Sequence, residues 1–220
     1  MKGLIILNFK NYLEISGEKT LELAYISKEV SKKYNIDIIL APPIPTIYYL
    51  NKSIDLPIIS QHVDNENLGS TTGYIIPELA KSYGAIGSLI NHSEHRLDYK
   101  TIEQLVNRLK TLDMISIVCA SDVIEVGIFA KFNPDMIAIE PPELIGTGKA
   151  VSKVRPSVIT ESVVEAKKYS RSKIICGAGI VDKSDIIGAI GLGSQGILIA
   201  SGIVKSKSWE KKLSELAEAF

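Results

Sequence analysis

Eight short apolar runs rich in β-branched residues recur along the chain, at residues 4–8, 37–41, 57–60, 87–90, 114–119, 136–139, 173–176 and 196–199. Each is four to six residues long and almost continuously hydrophobic. That is the pattern of strands covered on both faces in a parallel sheet, not the alternation of a half-exposed antiparallel one. Helical spacing fills the intervals. In 18–33, Leu21, Leu23, Ala24, Ile26 and Val30 form an apolar stripe opposite Lys and Glu. Similar stretches lie at 76–83, 102–112, 123–132, 157–168, 183–190 and 209–219, with a weak, proline-preceded candidate at 45–50. Strand and helix thus alternate eight times, at about 27 residues per unit, which implies right-handed parallel crossovers. The expected fold is a closed α/β (β/α)8 TIM barrel of eight parallel strands, favoured over an open doubly wound sheet. No linker or composition shift divides residues 1–220, so a single domain is expected. Barrels of this kind usually have about 250 residues, so this one is trimmed.

Charge and cysteine usage narrow the function classes. Twenty-five Lys and Arg balance 25 Asp and Glu. A neutral chain lacks the basic excess of a nucleic-acid-coating protein, so no nucleic-acid partner is expected. No apolar run approaches the roughly 20 residues needed to span a bilayer, and the run 4–7 is too short for a secretory signal. Cys119 and Cys176 form neither a CxxC pair nor a disulfide framework. A cytoplasmic protein with no membrane partner is expected.

In a barrel of βα units the chemistry sits where strands end. The first run ends in Asn8-Phe9-Lys10-Asn11, placing a lysine where it needs water or an anion. The fourth ends in Asn91-His92-Ser93-Glu94-His95-Arg96. His92 directly follows the buried run and is expected at the barrel mouth. A helix starting at Ser93-Glu94 would keep its imidazole neutral, with Glu94 and Arg96 paired to each other. No Cys or third clustered His completes a zinc set, so no metal is expected. The sixth run ends in Ile139-Glu140-Pro141-Pro142, and a carboxylate there sits in low dielectric, which raises its pKa toward that of a general base. The segment beyond it, to Gly146-Thr147-Gly148-Lys149, reads as a lid with a proline-stiffened end and an anion-binding arm. The seventh and eighth runs end in Cys176-Gly177-Ala178-Gly179 and Ala200-Ser201-Gly202, small residues suited to a phosphate corner built from backbone N–H groups. Cys176 reads as a packing residue rather than a nucleophile, and His62 receives no role. A nucleotide is not indicated, since neither GxxxxGK[ST] nor a GxGxxG after the first run occurs.

Asn8-Phe9-Lys10, Asn91-His92-Ser93-Glu94-His95-Arg96 and Ile139-Glu140-Pro141 through Gly146-Thr147-Gly148-Lys149 together resemble, in order and spacing, the motifs of the triosephosphate isomerase family. The resemblance runs across essentially the whole chain. The chain departs from the family in having no Trp in the lid, in Cys176-Gly177-Ala178-Gly179 where Tyr-Gly-Gly-Ser is usual, and in Ala200-Ser201 where Gly-Gly is usual. These departures and the short length are similar to the compact archaeal branch. The resemblance implies interconversion of dihydroxyacetone phosphate and D-glyceraldehyde 3-phosphate through an enediolate, without cofactor. It implies Glu140 as general base, neutral His92 as electrophile, Lys10 stabilising the growing negative charge, and Asn8 orienting the oxygens. Substrate contacts would come from Asn8, Phe9 and Lys10, with the phosphate on backbone N–H groups of Ile145 or Gly146, Gly179, Ala200 and Ser201. The long polar stretch 61–73, with its tip Gly69-Ser70-Thr71-Thr72-Gly73, resembles the family's interdigitating loop, so a homo-oligomer is expected, dimer or tetramer.

Two other classes compete: another phosphosugar barrel enzyme, either an aldolase or a phosphoribosyl isomerase, and a non-catalytic barrel. A Schiff-base aldolase needs a lysine in mid-strand, whereas Lys173 begins its run. Phosphoribosyl isomerases use paired Asp after runs one and five, where this chain has Asn8 and Cys119-Ala120-Ser121. A non-catalytic phosphometabolite-binding barrel would have lost one of Glu140, His92 or Lys10, and all three are present.

Overall fold

The computed structural model describes residues 2–144 and 150–220. Its strands are β1 (Leu4–Asn8), β2 (Asp37–Ala41), β3 (Gly87–Ile90), β4 (Ile115–Ala120), β5 (Met136–Ile139), β6 (Lys173–Cys176) and β7 (Ile197–Ile199). They form one sheet in the order β2-β1-β7-β6-β5-β4-β3, every pairing parallel. Seven of the eight expected strands are therefore strands among the described residues.

The exception is 57–60. Leu40 N–H donates to Pro57 O and Ile59 N–H to Leu40 O, while Ser60 N–H donates to Gly87 O and Leu89 N–H to Ser60 O. The segment stands between β2 and β3, the two sheet ends, touching each through a single bridge, Leu40↔Ile58 and Ser60↔Ser88. Pro57 has no N–H to donate back to β2, so the ladder on that side cannot extend beyond its one bridge. The result is a nearly closed parallel α/β barrel.

The helices are α1 (Lys19–Tyr34), α2 (Ile47–Ser53), α3 (Pro77–Ser82), α4 (Tyr99–Thr111), α5 (Val123–Ala130), α6 (Val151–Val154), α7 (Pro156–Lys167), α8 (Lys183–Gly191), α9 (Ser201–Val204) and α10 (Trp209–Ala217). Asp98, Asp122 and Asp182 cap α4, α5 and α8 by accepting backbone N–H groups of Thr101, Glu125 and Asp185, each cap being worth about 1 kcal/mol. The one-turn helices α6 and α9 were not expected.

Two apolar layers explain why the runs are continuously hydrophobic. An inner cluster fills the barrel with Leu4, Ile6, Ile39, Ile59, Leu89, Ile117, Met136, Ala138, Ile175 and Leu198, among others. A larger outer cluster sets Ile5, Leu7, Ile38, Leu40, Val118, Ile137, Ile139 and Ile174 against the helices. Successive side chains of a strand point to opposite faces. The inner row Leu4, Ile6 therefore continues to Asn8, Met136, Ala138 to Glu140, and Ile175 to Gly177. Alternation alone delivers these positions to the C-terminal mouth.

Candidate active site

Asn8, Lys10, His92, Glu94, Glu140, Gly179, Ala200 and Ser201 line one cleft of about 580 Å³ at the C-terminal ends of the strands. Lys10 takes a left-handed backbone conformation, φ 49°, disfavoured for a residue with a side chain by about 1–2 kcal/mol. Three bonds hold it there: its N–H donates to Asn8 Oδ1 at 2.9 Å, and Gln61 Nε2 donates to Lys10 O at 3.1 Å and to Ala41 O at 3.0 Å. The turn sends the ammonium into the cleft, where Nζ meets Glu94 Oε1 at 2.7 Å. Phe9, expected as a substrate contact, points the other way. Its side chain is fully buried in the outer core and does not line the cleft, because it follows Asn8 by one residue and alternation turns it outward.

His92 reaches the mouth through a second left-handed residue. Asn91 has φ 62° and is pinned by Nδ2 donating to Cys119 O at 2.9 Å and Oδ1 accepting from Leu97 N–H at 2.9 Å. The following residues form a turn, and α4 begins only at Tyr99, so no helix N-terminus stands at Ser93-Glu94. Glu94 N–H donates to His92 Nδ1 at 3.2 Å, which leaves the proton of the neutral ring on Nε2. Burial, with Lys10 next in weight, lowers its pKa to about 4. The imidazole is therefore neutral, as expected, but through desolvation rather than a helix terminus. Arg96 does not pair with Glu94. It pairs with buried Glu125, whose second oxygen accepts the Ser121 N–H and hydroxyl at 2.8 and 2.9 Å.

Glu140 is 3% exposed, and Oε1 lies 3.6 Å from His92 Nε2. Its Oε2 is buried with no hydrogen-bond partner among the described residues. Burial raises its pKa to about 7, against the opposing pull of the Cys119 thiol and then of Lys10. Gly177 makes the room: a Cβ there would stand 2.5 Å from Glu140 Cγ. Cys176 is buried and its thiol is pushed up to about 12, in keeping with a packing role.

At the other end of the cleft Gly179 has φ 73°, and α9 starts at Ser201, so the N–H groups of Ser201 and Gly202 have no intrahelical acceptor. Ile145 and Gly146, and with them the tip of the expected lid, lie outside the described residues. A second cavity of about 400 Å³ adjoins the first across Lys10 and Glu94, lined also by Asn11, Gln61, His62 and His95. His62 and His95 stack there, ring centroids 3.7 Å apart. Gln61 and Asn91 were not singled out from sequence, since an amide that holds backbone carries no motif. Among the described residues no group of three or more His, Cys, Asp or Glu could hold a metal, and no helix is long and apolar enough to cross a membrane.

The family model described as triosephosphate isomerase matches residues 3–218. Curated relatives, each named triosephosphate isomerase, include one from Cenarchaeum symbiosum, 45% identical over 98% of this chain and 97% of its own length. Another from Methanothermus fervidus is 43% identical over 98% and 97%. One from Methanocaldococcus jannaschii is 42% identical over 97% and 98%.

Proposed function

The chain belongs to the triosephosphate isomerase family and interconverts the triose phosphates, and from that premise we propose that Glu140 is its general base, His92 its electrophile and Lys10 its electrostatic support. One observation carries these roles: a buried carboxylate with an unpartnered oxygen faces a neutral imidazole whose proton is on the near nitrogen, 3.6 Å away. Glu140 removes a proton from the carbon beside the carbonyl of dihydroxyacetone phosphate and returns it to the neighbouring carbon. His92 Nε2–H donates to the carbonyl oxygen and then moves protons between the two oxygens of the enediolate. The Lys10 ammonium stabilises the negative charge growing on them, and Asn8 orients them. The phosphate rests on N–H groups of Gly179, Ala200 and Ser201, with Ile145 or Gly146 as a further contact. The chemistry calls for no metal or organic cofactor.

The segment 57–60 counts as the eighth strand in this reading, closing a single-domain barrel over residues 1–220. The free, buried Cys119 and Cys176 favour the cytoplasm. A second copy of the chain completes the site. The stretch leading to Tyr74 is tied at its base by Asp64 and Ile75, which exchange N–H···O bonds through backbone and carboxylate at 2.8 and 2.7 Å. Its exposed tip, with Leu68 and Tyr74 more than half exposed, suits insertion into the 400 Å³ cavity of a neighbour.

The test is conversion of D-glyceraldehyde 3-phosphate by the purified chain, followed by NMR without coupling enzymes. A kcat/KM above about 10⁶ M⁻¹s⁻¹ is expected, and absence of turnover in a folded sample overturns it.

A further inference from the structure

The phosphate end of the cleft holds a cation that the roles above leave unused. Lys205 follows α9 and lines the cleft beside Gly179, Ala200 and Ser201. Its Nζ stands 4.5 Å from the centre of the Tyr12 ring, which lines the cleft from the β1 side. The charged side chains lining the cleft among the described residues are Lys10, Glu94, Glu140 and Lys205. Lys10 is matched by Glu94 at 2.7 Å, whereas Lys205 makes no ion pair with any described carboxylate. An exposed cation–π contact steadies a flexible ammonium but does not neutralise it.

A phosphate dianion held by backbone N–H groups alone meets partial charges only. The full positive charge of Lys10 is already shared with Glu94. We propose that Lys205, steadied by Tyr12, is a substrate-binding residue that supplies net positive charge to the phosphate dianion. The identity of the substrate rests on the isomerase reading, but the placement bears on any phosphate dianion in this cleft. A purely structural role for Lys205, complementing the C-terminal end of α9, would move stability and leave anion affinity alone.

The experiment compares wild type, Lys205→Met, Lys205→Arg and Tyr12→Leu as full chains. Inorganic phosphate is titrated by ³¹P NMR at low ionic strength, and KM and kcat are measured for D-glyceraldehyde 3-phosphate. Lys205→Met is expected to weaken phosphate binding and raise KM by about five- to tenfold, the size of one solvent-screened charged contact, with kcat falling by less. Lys205→Arg restores most of the affinity, and Tyr12→Leu shifts it part of the way. The gap between wild type and Lys205→Met closes by about 0.5 M salt. Phosphate affinity within twofold of wild type in Lys205→Met at low salt overturns the proposal. A wild type that binds phosphate but does not turn over the triose phosphate overturns the isomerase reading instead, while the phosphate titration still decides Lys205.

Discussion

Folding favours the uncharged form of both Glu140 and His92, which suits the imidazole and opposes ionisation of the carboxyl. Burial raises the carboxyl from 4.5 to about 7 and lowers the imidazole from 6.5 to about 4. The folded chain binds the Glu140 proton more tightly than the unfolded one, so this group erodes stability as pH rises from about 4.5 to 7. His92 works in the opposite sense: it binds its proton less tightly when folded, and stability falls as pH drops from 6.5 toward 4. At 1.36 kcal/mol per unit, ionised Glu140 costs on the order of 3 kcal/mol above pH 7. Glu140→Gln should therefore lower kcat by at least about 10³-fold while raising the melting temperature at pH 8. A variant that keeps near-normal turnover would remove Glu140 from the base role. Because the base must be ionised, kcat/KM of the wild type should fall about tenfold per unit below an apparent pKa near 7, distinct from the substrate phosphate near 6. His92→Gln should reduce kcat far more than His95→Gln, since His95 stacks on His62 outside the main cleft. Equal losses would mean that the stacked pair, not His92, carries the proton transfers.

Strands place these residues and the turns after them aim them, which is why the elements were legible in sequence to different degrees. Continuous apolar runs announced seven strands, and alternation within them put Asn8, Glu140 and Gly177 at the mouth. The segment 57–60 had the right composition but pairs through a single bridge on each side, and Pro57 cannot donate to extend the one to β2. The turns were less readable. Nothing in the letters shows that Lys10 and Asn91 adopt positive φ, or that Gln61 reaches across to hold the first turn. Nor was the exchange of partners visible, in which Glu94 goes to Lys10 and Arg96 to Glu125. The end of β6 gives a sharp test at this scale. Gly177→Ala would drive a methyl to 2.5 Å from Glu140 Cγ, between a strand end and the base it supports. With Glu140 already buried, it can yield only by shifting, and a displacement near 1 Å lowers turnover by about 10²-fold. Circular dichroism should show a retained fold with about 1–3 kcal/mol of lost stability. An unchanged kcat would show that the carboxylate does not depend on the β6 turn for its position.

At the scale of the whole molecule, the cleft opens on one side to a second cavity that the described residues leave open. Its wall includes Lys10, His92 and Glu94, so whatever occupies it sets the dielectric around the Lys10–Glu94 pair. Water there would screen the charge that Lys10 offers the enediolate, and a dry neighbour would preserve it. The same chain exposes a tip flanked by Leu68 and Tyr74, held at its base through Asp64 and Ile75 and braced by Asn65 Nδ2 donating to Gln104 Oε1 at 2.9 Å. On the proposal that a second copy completes the site, a partner related by symmetry would bring this loop to the cavity of its neighbour, each copy serving the other. Analytical ultracentrifugation at micromolar concentration should find a dimer or tetramer, with a melting temperature that rises with concentration. Replacing Thr71 and Thr72 together by Arg, which adds two charges to the tip, should release monomers whose kcat/KM is at least about tenfold lower. Monomers in the wild type, or full activity in monomers of the double variant, would mean that each chain closes its site alone.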